Sequence, residues 1–125
     1  MPARILLIDD EELIIKSISK LLTMEGYEVL LARSGGDALE KMKTESVDLI
    51  VCDIRMPRMS GLEAIKKIRE LLIRRGCLPV PEILITGYAD GDLNRQAEEL
   101  QVADYLYKPF DLRDFLACIR KRLKA

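Results

Sequence analysis

A chain of 125 residues has the length of one ordinary domain, enough to bury a real core and too little for two. Its 20 basic and 21 acidic residues leave a formal net charge of −1, so no overall field draws it to nucleic acid or to a membrane surface. Histidine is absent, which removes Ser-His-Asp and Cys-His catalysis and the commonest transition-metal ligand, so any bound metal must be held by oxygen.

From the N-terminus, Ile5, Leu6, Leu7 and Ile8 form a short apolar run that stops at Asp9 and Asp10. The stretch is far too short for a signal sequence, and no later run approaches a membrane span, so a cytoplasmic location is expected. At Glu11 the period changes: Ile14, Ile18, Leu21 and Leu22 share one helical face, and Gly26 stands where a helix of about four turns would stop. Residues 28–32 (EVLLA) read as a second strand, and Ser34 opens a helix through Ala38, Leu39 and Met42 that fades at Thr44.

The third strand, residues 48–53, carries an unbroken apolar run, Leu49, Ile50, Val51 and Cys52, that stops at Asp53, the pattern of a strand buried on both faces. Taken alone, Asp53 reads as a turn-capping carboxylate. After the MPRMSG loop, Leu62, Ile65, Ile68 and Leu72 predict a third helix, with Lys66, Lys67, Arg69 and Glu70 on its opposite face. Residues 76–81 (GCLPVP) form a connector that cannot continue a helix. Residues 83–85 are a fourth strand ending in Thr86, and a polar fourth helix after Asp90 carries Leu93, Ala97 and Leu100. Residues 102–107 make a fifth strand ending at Lys108 and Pro109, and Asp111 caps a last helix carrying Leu112, Phe115, Leu116, Ile119 and Leu123. Cys52, Cys77 and Cys118 are odd in number and lack C-x-x-C spacing, so they read as reduced thiols.

Five alternations of strand and helix predict an α/β fold: one five-stranded parallel sheet, order 2-1-3-4-5, flanked by five helices in the flavodoxin-like doubly wound manner. In that order the carboxyl ends of the strands bring Asp9, Asp10, Asp53, Thr86 and Lys108 to one edge, with the three acids at the switch in strand order. Three adjacent carboxylates repel, and a divalent cation resolves the conflict; with oxygen ligands only, Mg²⁺ is the natural occupant. An ion, a carboxylate, a hydroxyl and an ammonium around one cavity are the parts needed for phosphoryl transfer, with Asp53 as the nucleophile.

At LLIDDE, CDIRMPRMSG, ITGYA and DYLYKPF the sequence resembles the receiver domain of two-component response regulators, and the resemblance spans essentially the whole chain, residues 1–125. It implies that Asp53 is the phospho-acceptor, that Asp10, Asp53 and the backbone carbonyl of Arg55 bind Mg²⁺ directly, and that Asp9 helps through water. It implies that Thr86 and Lys108 hold phosphoryl oxygens, that Tyr105 swings in behind Thr86 as a switch, and that the Lys108–Pro109 bond is cis. A half-buried strand aromatic remains the competing reading of Tyr105. The expected donor is a phosphohistidine on a sensor histidine kinase or phosphotransfer protein, and the expected recipient of the signal is an output domain or downstream protein. A homodimer through the fourth helix, fifth strand and fifth helix is a further expectation.

Arg55 and Tyr88, each two residues past a site residue, are less standard and are expected to tune the phosphoryl lifetime. An aspartyl-nucleophile phosphatase is the alternative of a different class, but it needs an acid where Arg55 stands. A receiver-like binding module that is not phosphorylated would be expected to lack one of the acids or the lysine. No phosphate-binding glycine motif follows the first strand, which disfavours a nucleotide site.

Overall fold

The structure, a computed structural model, describes residues 2–87 and 91–123. Its elements alternate without exception: β1 (Arg4–Ile8), α1 (Glu12–Met24), β2 (Glu28–Ala32), α2 (Gly35–Met42), β3 (Leu49–Asp53), α3 (Gly61–Arg74), β4 (Glu82–Thr86), α4 (Gly91–Leu100), β5 (Asp104–Tyr107) and α5 (Leu112–Leu123). All neighbouring strands are parallel, in the order β2-β1-β3-β4-β5, as the pattern of elements predicts.

The period of two along each strand divides the apolar residues between two cores. Leu6, Ile8, Ile50, Cys52 and Leu84 face α2, α3 and α4, meeting Met42, Leu62, Ile65, Ile68 and Ala97. Ile5, Leu7, Leu49, Val51, Ile83 and Ile85 face α1 and α5, meeting Ile18, Leu22, Phe115 and Ile119. Strands β3 and β4 are buried along their whole length because helices cover both of their faces.

Local chemistry sets the helix ends. Ser34 Oγ accepts from the Asp37 amide at 3.0 Å, Ser60 Oγ from that of Glu63 at 3.3 Å, and Asp111 Oδ1 from that of Arg113 at 2.6 Å. At the other end, α1 and α3 finish in the same way: Gly26 (φ 91°) and Gly76 (φ 70°) turn left-handed, and the next amides, of Tyr27 and Cys77, reach back to the carbonyls of Leu22 and Leu72.

Four strand limits differ from the sequence reading. Arg4 joins β1, paired with Glu28, whereas Asp48 falls outside β3 because its carboxylate accepts from the Arg4 amide at 2.8 Å. Glu82 joins β4 although it is charged and buried, because Arg69 of α3 reaches its two carboxylate oxygens at 2.8 and 2.6 Å. Arg69 is thus not simply a solvent-face residue; it also donates to the Leu100 carbonyl at 2.8 Å. Strand β5 starts at Asp104 rather than Val102, since the chain leaves α4 through Gln101 in a left-handed conformation (φ 55°). Tyr88, Asp90 and Lys124 lie outside the described residues.

Candidate functional site

Asp9 follows β1 directly, and its amide donates to the Ala32 carbonyl at 3.1 Å, carrying the strand pairing one residue past β1. Because Ile8 stands opposite Cys52, Asp9 and Asp53 emerge side by side from adjacent strands. Asp10 comes next in the chain and is exposed. Carboxylate oxygens of Asp9, Asp10 and Asp53 lie within 4.8 Å of one another.

Asp53 is 2% exposed and Asp9 is fully buried. Burial pushes the Asp53 carboxyl above its ordinary range, partly opposed by the Lys108 ammonium, whose Nζ lies 3.1 Å from Asp53 Oδ2. Burial also works against the charge on Lys108, but the acids around it, Asp53 foremost with Glu11 and Asp9, together outweigh it and raise the lysine's pKa. For Asp9, burial is the leading cause of a rise to about 6; the Glu11 amide, donating to Oδ1 at 2.9 Å, pulls the other way, and the neighbouring Asp53 adds to the rise. Its second oxygen, Oδ2, is buried with no hydrogen-bond partner.

That orphaned oxygen and the clustered acids fit a hard cation. Oxygens within 4.8 Å of one another suit one Mg²⁺, which can take some of them directly and reach others through the waters it keeps. A cation would give Asp9 Oδ2 the positive partner it lacks and favour the charged forms that burial, with a smaller contribution from the neighbouring acids, works against.

Two glycines hold the loop after β3. A Cβ on Gly61 would stand 2.3 Å from the Asp53 carbonyl oxygen and 2.9 Å from Ile54 Cα, and the Gly61 amide donates to the Ile54 carbonyl at 2.8 Å. The start of α3 thereby presses against the backbone of Asp53. A Cβ on Gly35 would meet Met59 Sδ at 2.5 Å, so the same loop rests on the start of α2. Inside the loop Arg58 takes a left-handed conformation (φ 70°), uncommon for a residue with a Cβ. The Arg55 amide donates to Asp53 Oδ1 at 3.3 Å, which puts the Arg55 backbone beside the acid.

Lys108 is aimed by its own backbone: its amide donates to the Thr86 carbonyl at 2.7 Å, continuing the pairing beyond β5, and the Lys108–Pro109 bond is cis. Thr86 ends β4 buried, and its hydroxyl donates to Asn94 Oδ1 on α4. Tyr105 packs among the α2–α4 core residues and donates through Oη to the Ala97 carbonyl at 3.0 Å. The acids and lysine named from the sequence therefore converge at one edge, while Thr86 and Tyr105 are each bonded to α4.

Two contributors escaped the sequence reading. Glu11 Oε1 lies 3.5 Å from Lys108 Nζ, and Asn94 holds the Thr86 hydroxyl. The acidic run DDEE carried a faint signal for Glu11, and nothing local marked Asn94.

A family model described as the response regulator receiver domain matches residues 5–120. Response regulator RR06 of Streptococcus pneumoniae is 36% identical over 121 residues, covering 97% of this chain and 51% of that protein. The chain thus spans about half the length of the curated relative it matches. Among solved structures, a CheY-like receiver domain protein of Methanospirillum hungatei superposes with a TM-score of 0.86 at 33% identity, covering 98% of this chain and 94% of that one. The receiver domain of a Pseudomonas aeruginosa sensor histidine kinase, described with a magnesium ion coordinated in its active site cleft, gives a TM-score of 0.86 at 26% identity over the whole of both chains.

Proposed function

The chain belongs to the response regulator receiver domain family, and from that premise we propose that it is a phospho-accepting signalling switch in which Asp53 receives a phosphoryl group from a phosphohistidine. A sensor histidine kinase or a phosphotransfer protein supplies that phosphohistidine. A carboxylate oxygen of Asp53 forms the new O–P bond as the donor's N–P bond breaks, and the departing imidazole takes up a proton. The observation that carries this reading is the setting of Asp53: a nearly buried carboxylate with an ammonium at 3.1 Å and two further acids beside it.

Lys108 neutralises one carboxylate oxygen before transfer, and the same ammonium is within reach of the charge that then develops on phosphorus-bound oxygens. Thr86 supplies a hydroxyl for another phosphoryl oxygen, and Tyr105 moves in behind it. Asp10, Asp53 and the Arg55 carbonyl would hold Mg²⁺ directly, and Asp9 would hold it through water. When bound, the ion stabilises negative charge on the phosphoryl oxygens. Arg55 is exposed two residues past the nucleophile, and with Tyr88 it screens the attacking water and sets the phosphoryl lifetime. Exchanging Arg55 and Tyr88 for alanine should change the dephosphorylation rate; an unchanged rate removes that role.

No helix among the described residues is long and apolar enough to cross a membrane. An output domain or a separate downstream protein receives the signal. Tyr107, exposed on β5, and Leu112, exposed on α5, support a partner or homodimer surface across α4, β5 and α5. The phosphatase alternative is weaker, because position 55 holds Arg55 where it needs an acid.

The deciding experiment is incubation with Mg²⁺ and a small phosphodonor, followed by intact mass measurement of wild type and Asp53→Asn. A phosphoryl adduct on wild type alone is expected. An adduct equally abundant on the variant would overturn the reading.

A further inference from the structure

A threonine hydroxyl has one proton to donate, and of the two acceptors that face Thr86 Oγ1, Asn94 Oδ1 at 2.5 Å is much nearer than the Gly87 carbonyl at 3.4 Å. The amide of Asn94 is itself oriented: Nδ2 donates to the Gly87 carbonyl at 3.4 Å, which turns Oδ1 toward the hydroxyl. One turn further along α4, the Ala97 carbonyl holds Tyr105 Oη at 3.0 Å. Both side chains that the switch uses are therefore tied to a single helix, whose only buried residue is Ala97.

We propose that Asn94 is a positioning residue that withholds the Thr86 hydroxyl from the acidic cleft before phosphorylation, and so sets how readily Asp53 takes up a phosphoryl group. The inference rests on the reading of Asp53 as phospho-acceptor. A phosphoryl oxygen on Asp53 and the Asn94 carbonyl oxygen compete for one proton. The charged oxygen is the stronger acceptor, so the hydroxyl transfers once the group is in place. Until then the neutral bond opposes the rearrangement by about fivefold in an equilibrium constant. Asn94 touches no phosphoryl oxygen; it acts through Thr86.

The test titrates the full chain, in the presence of Mg²⁺, with beryllium fluoride as a stable phosphoryl mimic, and follows binding by calorimetry. Asn94→Ala should bind about fivefold more tightly than wild type. Asn94→Leu, close in size and also without an acceptor, is measured in parallel and should do the same, so that a folding failure of one variant leaves the other informative. In a Thr86→Val background, where there is no hydroxyl to release, Asn94→Ala should change the affinity by less than about twofold. Unchanged or weaker binding of the folded single variants would overturn the inference. So would equal tightening with and without the Thr86 hydroxyl, since Asn94 would then act by loosening α4 in general. If wild type fails to bind the mimic, or binds it equally well as Asp53→Asn, the reading of Asp53 itself fails and the role of Asn94 falls with it.

Discussion

Asp9 has one carboxylate oxygen on the Glu11 amide and another that is buried without a partner. That imbalance gives the folded protein a characteristic response to pH. With a pKa of about 6 when folded and an ordinary value of 3.8, Asp9 holds its proton more tightly in the native state. Its contribution to stability is complete below about pH 4 and is lost as pH rises through about 6, a decline of up to about 3 kcal/mol. Asp53, raised in the same direction, reinforces the trend. Denaturant unfolding without divalent cations should therefore show lower stability at pH 7 than at pH 5, and added Mg²⁺ should restore more stability at pH 7 than at pH 5. A stability that rises over this interval, or a Mg²⁺ effect independent of pH, would contradict the assignment. At this scale the sequence was informative where a residue's position in the cleft follows from its place at a strand end, as for Asp9, Asp53 and Lys108. Glu11 and Asn94 could not be found that way. Their contacts join Glu11 to Lys108 across the sheet edge and Thr86 to α4, and they depend on how the helices are rotated against the strands.

Helices α3 and α4 flank the same core with unequal investment. Six residues of α3 are buried, Gly61, Leu62, Ala64, Ile65, Ile68 and Leu72, and its end is tied down by Arg75, which donates to the carbonyls of Met42 and Glu45 at 2.7 and 2.9 Å. Helix α4 buries Ala97 alone. Local opening costs less where little apolar surface is lost to water, so the backbone amides of α4 should exchange with solvent hydrogen well before those of α3. Native-state hydrogen exchange read by mass spectrometry or NMR tests this, and equal protection of the two helices would refute it. Sequence periodicity did anticipate the weak apolar face of α4. It could not anticipate that Arg69, spaced with the polar side of α3, would neutralise a buried Glu82, because an ion pair 13 residues apart leaves no mark on local pattern.

For the molecule as a whole, the order of strands was the most legible feature. Short apolar runs separated by amphipathic helices leave few arrangements open, and the chain adopts the doubly wound one. Less legible were the exact strand limits, which shifted by one or two residues wherever a side chain supplied or removed a backbone partner, as Asp48 does for Arg4. The loop between β3 and α3 is closed upon itself by the bond from the Gly61 amide to the Ile54 carbonyl, with no room for a Cβ at the closure. A closed ring has a fixed circumference. The seven residues from Ile54 to Ser60 therefore form a segment whose length cannot drift without lifting α3 off the back of Asp53.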